Sequence, residues 1–454
     1  MSGKRARRNH RRVDRSRRNR VFAWSGGVLA VLILLAGAGG AWVYTSLDGN
    51  IHSADLSDRL GGDRPDNLSP GSKNILVIGS DSRDGANSKY GKDLETMQSD
   101  TLMVVHVSAD HEWASVVSLP RDSYVPIPAC DRGNGSQSQP HRFKINESYA
   151  IGGTTGDVSS AAACTIKTVE KNTGLRIDHF MSVDFQGFKG MVNALGGIEV
   201  CPKEPIDDEK AQLKLDAGCQ TVKDEDALGY VRVRYSVGNG SDTDRIGRQQ
   251  EFMRALAEKA QAKLTSPKQL YDFLDSATKS LTTDKELAGI KPLYELASKM
   301  KDIPQDRLHF VTVPNYPREA DVPKDKANLV WQYPQAPKLF SDLAKDRETD
   351  EKKLKKQTSS LIYASRVPVQ VLNGTGKPGA AAEAAGHLRA LGFPVTTGNA
   401  PSNVEETEVS YPPGMGRKSL VLSSRLADVT PQEDSSASPG HVTLVLGPDY
   451  ERVD

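Results

Sequence analysis

Four arginines crowd one short stretch, YVRVRYSVGNGSDTDRIGRQQ at 230–250: Arg232, Arg234, Arg245 and Arg248, with Asp244 and Gln249 among them. Read as a strand, YVRVRY turns Val231, Val233 and Tyr235 to one face and sets Arg232 and Arg234 side by side on the other. Neighbouring like charges cost energy unless an anion lies between them, and planar guanidinium forks suit phosphate. Three further clusters share this layout. GSDSRDG supplies Asp81 and Arg83 at the end of an apolar run; SDTLM places Asp100 just ahead of another; LPRDSYVPIP places Arg121 and Asp122 just after a third. Between them and the arginine stretch, FKINESY adds Lys144 and Asn146. Acidic residues from two loops can chelate a hard divalent cation, Mg²⁺ or Mn²⁺, with waters and substrate oxygens completing the shell. A pyrophosphate diester carries two negative charges, and its transfer chemistry is mainly positioning and charge neutralisation, which a joint metal and arginine clamp supplies. Ser80 and Ser82 flank Asp81, but no histidine shares a motif with them, and His179 in IDHFMSVDF reads as structural. Direct displacement without a covalent intermediate is the expected route. Any one of these clusters, taken alone, would equally be a surface ion pair of little energy. Their common placement favours a site.

The elements that must hold these residues follow from periodicity. NILVIGS (74–80), TLMVVHVS (101–108) and WASVVSLP (113–120) read as strands, the last two joined by the turn ADHE into an antiparallel hairpin. Helical patterns cover about 157–173, 185–195, 245–264 and 267–280, and HFVTVP (309–314) reads as a late strand. Residues 344–366 are highly charged and read as a linker or solvated helix. From Val367 to about 450 a strand, Gly turn, Ala-rich helix and further strand-like runs form a small α/β unit. Its NGTGKPG lacks the spacing of a phosphate loop and reads as a strand-to-helix turn.

A net charge of +1 over 454 residues hides an asymmetry. Residues 1–20 hold ten Lys/Arg against Asp14 alone, about +9, leaving about −8 for the rest. The apolar run 21–47 that follows exceeds the ~20 residues a helix needs to span a bilayer, and Trp24, Trp42 and Tyr44 suit its two interfaces. The basic tail then sets the orientation: a single-pass anchor with the N-terminus cytoplasmic and the rest extracytoplasmic, reached through a surface stalk at 48–72. A cleaved signal peptide is disfavoured by the length of both regions. Cys130, Cys164, Cys201 and Cys219 all follow the anchor. None has metal-ligand spacing, and of the three possible pairings Cys201–Cys219 and Cys130–Cys164 are favoured.

The order NILVIGSDSR, SDTLMVVHV, VVSLPRDSYV, KIN, VDFQGFKGMVNALGGIEV, ALGYVRVRY and DTDRIGRQQ resembles the LytR–CpsA–Psr family of cell-wall glycopolymer ligases over roughly 72–262. The segment from Val367 is similar to the small C-terminal domain that often accompanies them. The resemblance implies a mixed-sheet α/β/α catalytic domain at 73–343 with its motif core at 73–262. It implies transfer of a glycan phosphate from a polyprenyl-pyrophosphate carrier to a peptidoglycan hydroxyl, with release of polyprenyl phosphate. By motif, Asp81 and Asp100 would hold the metal, and Arg83, Arg121, Arg232 and Arg234 the pyrophosphate. Lys144, Arg245, Arg248 and Gln249 would line or brace the pocket, with Asn146 beside them, and Asp244 or Asp122 would orient either the acceptor hydroxyl or the arginines. A polyprenyl tail also needs an apolar groove, for which HFMSVDFQGFKGMVNALGG offers Phe185 and Phe188. The Cys-bearing insertion at 130–141 departs from the family pattern at the mouth of the site. The competing readings are an envelope-associated transcriptional regulator or attenuator, a pyrophosphatase acting on the same carrier with water, and a wall-binding role for the C-terminal unit. No nucleic-acid partner is expected, since the basic tail already serves orientation and shows no helix-turn-helix pattern.

Overall fold

The computed structural model describes residues 45–80, 97, 99–233, 242–263, 267–300, 303–358, 360–426 and 429–450. The basic tail and nearly all of the expected anchor at 21–47 therefore lie outside the described residues. Among those described, no helix is long and apolar enough to cross a membrane. The chain divides at Asn50, and the unit from Ile51 onward carries both the sheet domain and the C-terminal domain.

A seven-stranded mixed sheet organises the first domain. Its strands run, in spatial order, His52–Ala54, Leu281–Asp284, His179–Val183, Lys73–Ser80, Ser99–Val107, Ala114–Ser118 and Leu308–Thr312. The hairpin expected at 101–120 is present, antiparallel, and the late strand closes the sheet parallel to Ala114–Ser118. Along Ser99–Val107, Leu102 and Val104 face a dense core that includes Trp113, Tyr149, Ile166, Phe180 and Phe340. Met103 and Val105 face the other way, toward a thinner apolar layer with Met253 and Phe310. That difference leaves room on one face only.

The main-core helix Val158–Thr173 begins where the Asp157 carboxylate accepts the Ser159 N–H, and ends at Gly174 in the left-handed region. Both disulfides, Cys130–Cys164 and Cys201–Cys219, are formed, and no cysteine is free. His179 is structural: its ring lies 3.3 Å from Asp284 on the adjacent strand.

Two segments are bound more closely than composition indicated. The expected stalk contributes the edge strand His52–Ala54, and Arg64 forks onto the buried Glu170 carboxylate at 2.6–3.1 Å. The charged segment after 344 does form a helix, Glu351–Thr358, with no buried residue. Just ahead of it, however, Asp346 reaches the buried His106 ring at 3.0 Å and Thr349 bonds Ser115. Charge alone concealed these anchors, because each carboxylate or hydroxyl meets its partner only across the sheet.

The C-terminal domain has its own core and a five-stranded sheet, ordered Val395–Asn399, Val369–Asn373, Val442–Leu446, Glu408–Tyr411, Gln432–Glu433. The SLVLSS run lies within the helix Gly416–Ser423 and the turn after it.

Replacing Glu170 with Ala would strand Arg64 without its buried partner and is expected to cost about 3–5 kcal/mol in a urea melt. Burial pushes the Asp284 carboxyl up, but His179 and the Phe180 and Leu287 N–H groups outweigh it and hold its pKa below the ordinary value. Its stabilisation is therefore complete above about pH 4 and is lost as pH falls through the depressed folded value. Asp284→Asn is expected to flatten that acid limb in urea midpoints measured across the range.

Candidate active site

The open face of the sheet holds a cavity of about 380 Å³. Its floor is the end of the strand Lys73–Ser80, where pairing to Ser99–Val107 shifts register between Gly79 and Ser80. Three helices wall it. Asp184 caps Phe185–Ala194 by accepting the Gly187 N–H at 2.9 Å, and this helix sends Phe185, Phe188 and Met191 inward. Asp224–Arg232 contributes Leu228, Val231 and Arg232, and Asp242–Lys263 contributes Arg245, Gln249, Met253 and Leu256. Both sets follow i, i+3, i+4 spacing, which aligns side chains along one helix face.

The strand expected over YVRVRY is not formed at its described residues, Tyr230–Val233. Tyr230–Arg232 is the last turn of a helix whose first turn carries Asp224, Glu225 and Asp226, a favourable placement of acid at a helix N-terminus. Gly229 lets this helix sit tightly on a neighbouring hairpin, since a Cβ there would stand 3.0 Å from Leu213 Cβ and 3.1 Å from the Ala211 carbonyl. Burial of Ala227, Leu228 and Tyr230 against that surface overrides the strand propensity of Val and Tyr. Arg232 therefore lines the cavity from a helix end, its guanidinium 5.1 Å from the Phe185 ring centre.

At the polar end, Arg121 Nη1 donates to Asp100 Oδ1, and the buried Arg245 reaches the Asp100 carbonyl at 3.5 Å. Among the described residues, the buried Arg121 Nε meets no hydrogen-bond acceptor, and Ser99 Oγ next to Asp100 meets no hydrogen-bond partner. A buried donor left unmade costs about 1–3 kcal/mol, and the Asp122 carboxylate 4.0 Å away offsets part of that. Behind this layer Lys144 Nζ donates to Asp122 Oδ1 at 2.6 Å, with Arg121 Nε 4.0 Å from the same oxygen.

The cavity thus brings together Asp100, Arg121, Arg232, Arg245, Gln249, Phe185 and Phe188. Asp122, Lys144, Asn146 and Arg248 lie outside its walls. Asp122 and Lys144 back Arg121; Asn146 precedes the helix Glu147–Gly152, its N–H 3.4 Å from the Arg121 carbonyl; Arg248 donates to the Val233 carbonyl and fixes the helix end that carries Arg232. These four support the site from outside its walls. Asp81, Arg83 and Arg234, and the side chain of Asp244, lie outside the described residues. Asp208 and Lys210 also line the cavity. They come from the polar insertion closed by Cys201–Cys219, and that bracket was the available signal for them. Among the described residues one His-carboxylate trio, His179, Asp284 and Glu286, has ligand atoms within 4.8 Å. None of its members lines the cavity, and Asp284 already accepts three backbone N–H groups.

Comparison with known proteins follows the same division. Residues 43–341 match the model of the LytR–CpsA–Psr family. The chain belongs to the LytR–CpsA–Psr family. Residues 366–450 match a second model, described as LytR cell envelope-related transcriptional attenuator. The chain is 28% identical to the cell wall biosynthesis protein LcpA of Corynebacterium glutamicum, covering 95% of this chain and 87% of that one. It is 36% identical to the probable cell wall biosynthesis protein LcpB of the same organism over 46% of this chain and 47% of that protein. It is 27% identical to the polyisoprenyl-teichoic acid–peptidoglycan teichoic acid transferase TagT of Bacillus subtilis, covering 65% and 87%.

In this LytR–CpsA–Psr chain the apolar end of the cavity makes a direct prediction. Met191→Asp is expected to weaken binding of a long-chain alkyl phosphate at least tenfold, the loss of roughly 1.5–3 kcal/mol of buried apolar contact. Isothermal titration in detergent-free buffer checks it, with inorganic phosphate binding unchanged.

Proposed function

We propose that this protein transfers a glycopolymer phosphate from a polyprenyl-pyrophosphate carrier to a peptidoglycan hydroxyl, releasing polyprenyl phosphate. The observation that carries the reading is a single cavity with Arg121, Arg232 and Arg245 at a polar end and a body of Phe, Met, Leu and Val side chains. Such a cavity suits an amphiphile with an anionic head and an apolar tail, and not a small polar metabolite. The name of the TagT relative supports the same class of donor and acceptor.

In this mechanism the arginines bind the two phosphoryl groups and keep them in line with the acceptor. Charge spreads over the equatorial and leaving oxygens in the transition state, and the guanidinium forks meet it there. The acceptor oxygen forms a new phosphorus–oxygen bond at the glycan-proximal phosphorus, while the bridging oxygen leaves with the polyprenyl phosphate. The acceptor proton passes to solvent or to the departing phosphate. Asp100 offers hard carboxylate oxygens at the polar end, and Asp81 follows directly in the chain on Ser80, which lines the same cavity. In this reading Asp81 and Asp100 would hold Mg²⁺ or Mn²⁺, which when bound would supply further neutralisation of phosphoryl charge. Lys144 and Asp122 hold Arg121 from behind. The apolar run 21–47 would anchor the enzyme on the outer face of the cell membrane, where enzyme and lipid-linked donor meet in two dimensions at raised effective concentration.

The test uses the full chain in detergent with lipid-linked glycopolymer and peptidoglycan fragments. Arg121→Ala is expected to lower phosphodiester product and polyprenyl phosphate release by about 10²–10³-fold, the usual cost of removing one preorganised charge donor. Unchanged turnover in a folded variant would remove Arg121 from the chemistry. Release of polyprenyl phosphate by the wild type without glycan joined to peptidoglycan would make the enzyme a hydrolase.

A further inference from the structure

Behind Arg121 lies a second layer of contacts, and it leads into the C-terminal domain. The Pro120–Ser123 turn is closed by the Ser123 N–H donating to the Pro120 carbonyl at 3.0 Å. It is held from two sides. On one, the Ile145 N–H donates to the Ser123 carbonyl at 2.8 Å, next to the Lys144–Asp122 pair. On the other, the Leu329 N–H donates to the Asp122 carbonyl at 2.9 Å, and Trp331 Nε1–H donates to Ser123 Oγ at 2.9 Å.

The strand Leu329–Trp331 is itself tied to the C-terminal domain. It pairs with Asn315–Pro317, and the segment joining them opens with Arg318, only 8% exposed. The Arg318 guanidinium lies 4.2 Å over the Tyr124 ring, pairs with Asp325, and donates at 2.7 Å to the carbonyl of Ala390. Ala390 ends the helix Ala380–Ala390, so Arg318 meets a carbonyl the helix leaves unsatisfied, at the negative end of its dipole. Arg425 answers from the C-terminal side, equally buried, 3.9 Å from the Tyr333 ring centre and 5.5 Å from that of Phe393. Between these arginines Asp321 accepts the Ser365 N–H at 2.9 Å and the Tyr316 hydroxyl at 2.5 Å. Gly392, at φ +94°, lies against Asp321 so closely that a Cβ there would stand 2.5 Å from Asp321 Cβ.

We propose that the C-terminal domain positions the anion site: docked through Arg318 and Arg425, it holds the Leu329–Trp331 strand, and through that strand the turn that aims Arg121. Domains joined in one chain move relative to each other unless their interface is well packed. Two desolvated arginines stacked on three aromatic rings supply such an interface, and the rigidity reaches Arg121 through two hydrogen bonds. Arg318 and Trp331 are positioning residues and touch no substrate. The proposal rests on the reading of Arg121 as a phosphate-holding residue.

The experiment titrates the full-length chain with farnesyl pyrophosphate and, separately, with farnesol, which has the tail without the head. Arg318→Ala and Trp331→Phe are expected to raise the Kd for the pyrophosphate roughly five- to tenfold, a usual size for coupling between sites, and to leave farnesol unchanged. Hydrogen exchange at the Leu329 amide rises in both variants. Arg425→Ala acts in the same direction, and its effect is less than additive with Arg318→Ala because both act through one interface. Lys377→Ala, at the surface of the C-terminal domain, changes nothing. Should Arg318→Ala fail to fold, Trp331→Phe decides alone, since it keeps the packed ring and loses only the bond to Ser123. If the wild type binds farnesyl pyrophosphate and the variants bind it equally, the positioning role is overturned while the anion site stands. If both ligands weaken together, the interface serves general stability and the proposal fails. If the wild type does not bind the pyrophosphate, the anion-site reading fails, and this proposal with it.

Discussion

Burying arginines beside one another is tolerable only where negative charge meets them, and the first domain is arranged around that requirement. Asp100 supplies part of the charge, as one carboxylate against Arg121 with Arg245 close by. Arg121, Arg232 and Arg245 all line one cavity, and Asp122 stands behind Arg121 with its carboxylate 4.0 Å from the buried Nε. For the proposed transfer, such a site would act as a preorganised anion receptor: its dipoles are already ordered, so binding would not have to order them.

The sheet makes this possible by packing its two faces unequally. One face carries a dense core of large side chains, while on the other Val77 and Met103 border open space under three helices. A fully packed second face would stabilise the domain further but leave no cavity. Apolar walls without an occupant cost some of that stability, and the Cys201–Cys219 disulfide, together with the hairpin packed on Gly229, braces the wall where the helix carrying Arg232 sits. Charge at one end and apolar surface at the other are thus two consequences of one incomplete layer.

The segments that composition marked as connectors serve as ties. Arg64 reaches the main-core helix from the region ahead of the first long strand, and Asp346 reaches a buried histidine from the region behind the last. In each case a charged side chain in a polar stretch finds one buried partner, and a long-range ion pair or hydrogen bond closes a loop whose local sequence reads as solvent-exposed. The C-terminal domain extends the same principle, with its own core and two arginines stacked on aromatic rings at the join.

The sequence by itself determined the strands of the central hairpin, the main helices, and the roster of arginines and acids near strand ends; among three possible cysteine pairings it only favoured the one the structure forms. Apolar periodicity and turn residues are local, and a local code is legible in one dimension. It did not determine that Tyr230–Arg232 would finish a helix, because Val and Tyr favour a strand until burial against the Leu213 hairpin outweighs propensity. Nor did it separate Arg121, Arg232 and Arg245, which face the cavity, from Lys144, Asn146 and Arg248, which stand behind it. Motif membership assigns all six to one neighbourhood, but a side chain's direction depends on which neighbours pack against its backbone. That is set by packing between elements distant in the chain, as where Arg245 reaches Asp100 across 145 positions, and only the tertiary structure decides it.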